Sequence, residues 1–235
     1  MTPRKQGVIL SYILMVFEVL STLLLTPFIL RTLGQAEYGV YKLSVAITAY
    51  LLLLDLGVGN AIVRYLSKFR VNNDKANAEK FLGIATIFYG SVALLSLIGG
   101  GVIIAIFPYA FAKGLTPDEI SLGQQLLIAT TLNVAVTLGT AAYSHALTAY
   151  EKFVVSRGAS IIQIIIRVSL FYVCLKAGMG SLGLVYVQLF TTLLCRAFYV
   201  VFVTSQIRLK PVFRGLETSF IKEVTVYSAL ILLQM

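Results

Sequence analysis

Apolar residues in this chain do not alternate with polar ones; they run in long blocks. Six of them, at 8–30, 39–63, 81–112, 122–149, 158–179 and 182–204, each exceed the roughly 20 residues needed to cross about 30 Å of hydrocarbon. The pattern predicts an all-α integral membrane protein. Residues 1–223 form a lobe of six transmembrane helices, and a seventh helix starts in 224–235. That last block has used only about a dozen of the residues a span needs, so the sequence reads as the N-terminal part of a longer protein. The first block follows Arg4 and Lys5 and is too long for a signal-peptide core, which predicts a retained helix. Pro27 is expected to bend it. Gly99, Gly100, Gly101 and Pro108 are expected to kink the third block or to mark where it leaves the lipid.

Composition sharpens the picture. Hydrophobic residues make up 58% and charged residues 12%, with a mean hydropathy of +0.89. Soluble domains carry about 45–50% and about 25%. A soluble enzyme, a secreted disulfide scaffold and a disordered tail are all excluded. Cys174 and Cys195 lie inside apolar runs and read as small buried hydrophobes. No phosphate-cradling loop, metal-ligand spacing or hydrolase cluster is present, so neither enzymatic activity nor a cofactor is expected.

The net charge of +9 would suggest nucleic acid in a soluble protein, but the positions of the cations decide otherwise. Arg4, Lys5, Lys152, Arg157 and the cations of connections 64–80 and 205–222 fall on one side. Only Arg31, Lys42, Lys113 and Lys176 fall on the other. The positive-inside rule predicts a cytoplasmic N-terminus in a multi-pass plasma-membrane protein. The basic excess then meets anionic lipid head groups, and nucleic-acid binding is not expected.

Ionisable groups at bilayer depth cost about 2.5–3.5 kcal/mol on insertion scales and normally face a cavity or a partner. Glu18, Asp55, Arg167 and Arg196 are such groups. Structural alternatives stay open for three of them. Arg196 can snorkel to an interface, Glu18 can pair with either arginine, and Asp55 can bond between helices near a break at Gly57. Arg167 is too central to snorkel.

Helical spacing adds polar stripes: Ser156, Ser160, Gln163 and Arg167 in the fifth block, and Asn133, Thr137, Thr140, Ser144 and Thr148 in the fourth. Gln188, Thr192, Cys195 or Arg196, and Tyr199 make a third in the sixth block, and Ser11, Glu18 and Thr22 a fourth in the first. Such stripes predict a bundle around a wet cavity, although helix packing through small polar residues gives the same spacing. His145 reads as interfacial packing more readily than as a proton sensor.

Two segments carry a resemblance. Leu30-Arg31-Thr32-Leu33-Gly34-Gln35-Ala36-Glu37-Tyr38-Gly39-Val40-Tyr41 follows the first block, and Leu54-Asp55-Leu56-Gly57-Val58-Gly59-Asn60-Ala61-Ile62-Val63-Arg64-Tyr65 closes the second. Together they resemble the polysaccharide (O-antigen and capsule type) flippases of the multidrug/oligosaccharidyl-lipid/polysaccharide exporter superfamily. The resemblance implies two lobes of six helices, of which this is the first. It implies translocation of an undecaprenyl-pyrophosphate-linked oligosaccharide by alternating access, alongside polysaccharide polymerase and chain-length partners. Phosphate and sugar contacts would then come from Arg167, Arg196, Arg31, Arg64, Gln163, Gln188 and Asn133. Glu18 and Asp55 would balance charge or couple transport to H⁺ or Na⁺. A cation-coupled drug exporter, a flippase for the lipid-linked peptidoglycan precursor and a non-transporting scaffold remain the alternatives.

Overall fold

The structure, a computed structural model, describes residues 3–55 and 57–213. The predicted seventh helix lies outside the described residues. Helix α1 (Pro3–Ala49) runs into a 3-10 turn (Tyr50–Asp55), followed by α2 (Val58–Val71), α3 (Lys75–Phe111) and α4 (Pro117–Gly139). Then come α5 (Ala141–Ala149), α6 (Phe153–Lys176) and α7 (Gly180–Ser205). Helices satisfy their own backbone donors and acceptors, which hydrocarbon cannot do. Among the described residues, five stretches are long and apolar enough to span a membrane, the first being Gln6–Asp55.

That first stretch contains the first predicted span and most of the second. Gly7 packs on Phe153 at the start of α6, and Phe28 stacks on Tyr172 near the end of α6, ring centres 5.4 Å apart. Beyond Gly34 the chain comes back. Val40 packs with Leu126 and Val185, Leu51 with Val134 and Leu138, and Ser67 donates to the Ala149 carbonyl at 3.3 Å. Gly34 makes the reversal with φ 79° and ψ 171°, a conformation that a β-carbon opposes. The expected loop at 31–38 is therefore helical, because one glycine supplies the whole turn. The backbone break in α1 falls at Gly34 and not at Pro27, which sits within the helix.

Other predicted boundaries also need correction. The span expected over 39–63 gives way to the 3-10 turn at Tyr50 and a left-handed Gly57 (φ 70°), then resumes as α2. Because α2 extends to Val71, the inner connection expected at 64–80 contracts to residues 72–74. Helix α3 runs unbroken through Gly99, Gly100, Gly101 and Pro108. Gly100 serves packing there, since a β-carbon would overlap the Thr131 side chain of α4. The fourth predicted span divides at Thr140 (φ −106°, ψ 5°), whose hydroxyl donates to the Val136 carbonyl at 2.6 Å. Helix α4 begins with a reciprocal cap in which Thr116 and Glu119 each bond the other's backbone N–H.

Val58, Ile62, Leu66, Phe81, Leu82, Tyr89, Leu147 and Val203 form a core at the end of the bundle where the chain starts. Ile29, Phe171, Leu175 and Leu184 form another at the opposite end. Outside these cores the surface is apolar too, with Leu24 73% and Tyr12 68% exposed, as a lipid-facing shell requires. Arg70 fastens the near end: its guanidinium donates to the Ala149 carbonyl and to Glu151, both at 2.9 Å.

Candidate functional site: a polar cavity between four helices

The polar stripes of α4, α6 and α7 meet. Together with α5 they line an open-sided cavity of about 390 Å³. Asn133 and Thr137 come from α4, and Ser144, His145 and Thr148 from α5. Helix α6 supplies Phe153, Ser156, Arg157, Ser160 and Gln163, each three or four residues from another on one face. Helix α7 supplies Gln188, Thr192, Cys195, Arg196 and Tyr199.

Many of these groups are already engaged. Thr137 and Thr148 donate to carbonyls of their own turns. The Tyr199 hydroxyl donates to the Ser156 carbonyl and meets the Ser160 hydroxyl, both at 3.1 Å. Gln188 donates to Thr192 Oγ1 at 3.4 Å. One acceptor stands out: Asn133 Oδ1 is buried with no hydrogen-bond partner. Such a group costs about 1–3 kcal/mol unless something donates to it.

Charge in the cavity has one sign. The Arg196 guanidinium lies 5.7 Å from the Tyr199 ring centre, in cation–π range. Arg157, exposed on the first turns of α6, stands at the mouth. No Asp or Glu occurs among the described lining residues. The nearest link to a carboxylate is indirect: His145 stacks on Tyr89 (5.9 Å, 23°), and the Tyr89 hydroxyl donates to Asp55 Oδ1 at 2.5 Å. No cluster of metal-ligating groups occurs among the described residues.

Of the residues predicted for the site, Asn133, Gln163, Gln188 and Arg196 line this cavity. Arg167 does not; it is half-buried one turn beyond Gln163 and reaches the wall by donating to Gln188 Oε1 at 3.2 Å. Arg31 and Arg64 are exposed and stand apart from the cavity. Glu18 is exposed on α1, near enough for its charge to act on Arg167, but within ion-pair distance of neither Arg167 nor Arg196 among the described residues. Ser11 and Thr22, expected to share its stripe, donate to their own helix and do not line the cavity. Asp55 sits at the end of the 3-10 turn, beside the break at Gly57. Sequence analysis missed Arg157 as a cavity residue, counting it among loop charges. Its place three residues before Ser160 was the available signal.

No sequence family and no curated protein matches the chain. Solved structures do. A MOP superfamily transporter from Pyrococcus furiosus, whose binding pocket of reverse polarity suggests a different function, matches with a TM-score of 0.76 at 16% identity over all of this chain and 54% of that one. An outward-facing multidrug resistance MATE family transporter of the same superfamily matches with a TM-score of 0.71 at 17% identity, again over all of this chain and 54% of that one. A MATE point mutant gives 0.73 at 16% identity, over all of this chain and 55% of that one. The chain thus spans about half the length of the solved transporters it matches. These likenesses establish the fold. The chain is a multi-pass, all-α membrane protein with the architecture of one half of a MOP superfamily transporter.

Proposed function

We propose that this lobe belongs to a flippase that carries an anionic, hydroxyl-rich amphiphile, an undecaprenyl-pyrophosphate-linked oligosaccharide unit, for surface polysaccharide export. The observation that carries this reading is the sign of the cavity: Arg157 and Arg196 line it, with no carboxylate among the described lining residues. A guanidinium offers a planar fork of donors that matches phosphate oxygens. Asn133, Gln163, Gln188 and Thr192 supply neutral partners for sugar hydroxyls, and the unpaired Asn133 Oδ1 suits a hydroxyl donor. A charged, hydrated head pays heavily to enter hydrocarbon, and a basic polar cavity lowers that cost.

Transport by alternating access agrees with the fold of the MOP superfamily neighbours, one of which has a pocket of reverse polarity. The cation distribution supports a cytoplasmic N-terminus, which turns the Arg157 mouth towards the leaflet where such a substrate is made. Arg167 acts through Gln188 in this scheme. Glu18 and Asp55 serve as coupling groups for H⁺ or Na⁺, and Arg31 and Arg64 anchor the outer and inner interfaces. A drug exporter for organic cations would instead place a carboxylate in the cavity wall.

The test is export of surface polysaccharide in cells at matched protein level. Arg196→Ala and Arg167→Ala are expected to reduce it strongly, and Arg31→Ala to leave it nearly unchanged. Normal polymer with Arg196→Ala removes the reading.

A further inference from the structure

The polar cavity has an apolar neighbour. A groove of about 560 Å³ runs along the outside of the α6–α7 pair, with Ile162, Ile166, Leu194, Phe198 and Phe202 among its walls. Its surface faces outward, Ile162 being 59% and Phe198 43% exposed. Gln163 and Cys195 line both the groove and the polar cavity. These two side chains are therefore the partition between a cationic interior and a hydrocarbon-facing slot. The residues that line the slot at this level are small, Gly158 and Ala159 on α6 and Thr191 and Cys195 on α7, which keeps the layer between slot and cavity thin. Gly158 has no atom within 4 Å of where a β-carbon would stand, so the slot is open at that point.

We infer that the slot between α6 and α7 is a tail-binding site, holding the hydrocarbon chain of the same anionic amphiphile whose head occupies the cavity. The inference rests on the flippase reading above, and it adds a route: the chain lies along Ile162 and Phe198 while the head passes the Gln163–Cys195 partition sideways from the membrane. Charge complementarity selects this occupant. A neutral lipid has no use for Arg157 and Arg196, and a phospholipid head without hydroxyls offers no donor to the unpaired Asn133 Oδ1. An amphiphile with a phosphate next to its tail and hydroxyls beyond puts each chemical group against its match. The tail is surrounded by hydrocarbon before and after it is seated, so the groove contributes through the fit of the chain along its walls and not through withdrawal from water, and a longer chain makes more of those contacts.

The experiment compares two probes with the same pyrophosphate-linked disaccharide head, one on a short citronellyl chain and one on undecaprenyl, binding to the protein in nanodiscs. Wild type is expected to prefer the long probe. Gly158→Leu adds a side chain to the slot at a point where its β-carbon has open space, and Ile162→Trp narrows it from the exposed side. Each is expected to weaken the long probe by about threefold or more, through lost contact along the groove, while the short probe stays within about twofold. Gly101→Leu, on the exposed face of α3 with open space at its β-carbon, is expected to change neither. The tail site is overturned if wild type binds both probes equally, if both slot variants bind the long probe normally, or if both probes weaken alike. If wild type binds neither probe, the flippase reading itself fails first.

Discussion

Glu37 Oε1 accepts a hydrogen bond from the backbone nitrogen of Ser181 at 2.6 Å, so the second arm of α1 caps the start of α7. A carboxylate at a helix N-terminus answers both the free N–H groups and the positive end of the helix dipole. Gly180, beside it, has φ 63° and leaves room for the carboxylate, since a β-carbon would lie 2.7 Å from Glu37 Oε1. The glutamate of the segment that carries the flippase resemblance is thus a structural fastener between α1 and α7. Glu37→Gln keeps the shape and removes the charge. It is expected to lower stability by about 1–2 kcal/mol, read as a fall in detergent melting temperature.

Gly59 is tightly packed against His145, and a β-carbon there would overlap the imidazole. Gly59→Ala is expected to destabilise by about 1–3 kcal/mol through overpacking. Gly101→Ala, in open space, is expected to be neutral or stabilising by about 0.5–1 kcal/mol, because alanine is the better helix former. Thermal melts of the two variants side by side check the contrast.

Gly34 holds a backbone conformation that alanine resists. Gly34→Ala is expected to cost about 1–3 kcal/mol and to loosen the hairpin between the first two passes. Protease accessibility near residue 34, compared with wild type, reads the effect.

Tyr89 supplies the hydrogen bond to Asp55 at the break between the 3-10 turn and α2. Tyr89→Phe leaves a half-buried carboxylate short of a donor and is expected to cost about 1–3 kcal/mol. Asp55→Asn in the same background is expected to recover part of that loss. A double-mutant cycle on melting temperature measures the coupling.

Span number and polar faces were legible in the sequence because helix length and a repeat of three to four residues are local properties. Asn133, Thr137, Gln163, Gln188 and Arg196 read as stripes and stand around one cavity. The breaks were less legible. Thr140 divides α4 from α5, and Gly139 before it is a helix-end signal that the long apolar run around it masked, whereas Gly57 was a visible candidate. The reversal at Gly34 falls within the polar segment 31–38 that separates the first two blocks, so the turn was legible there and only its tightness was not. Arg167 stands one turn beyond Gln163 on the same stripe, and where the cavity ends along α6 is a packing outcome that spacing does not show. Arg157 shows the opposite error: a cation at a helix start resembles an interfacial charge, although it stands three residues before Ser160 and so shares the striped face.

The central claim is that the cavity between α4, α5, α6 and α7 accepts an anion. The direct test is equilibrium binding of the citronellyl-pyrophosphate disaccharide and of a lipophilic cationic dye to wild type and to Arg196→Gln. The account predicts that wild type binds the anionic probe and that added salt weakens it. Arg196→Gln is expected to lose about tenfold or more of that affinity. Tight binding of the dye by wild type, with the anionic probe unaffected by Arg196→Gln, would contradict it.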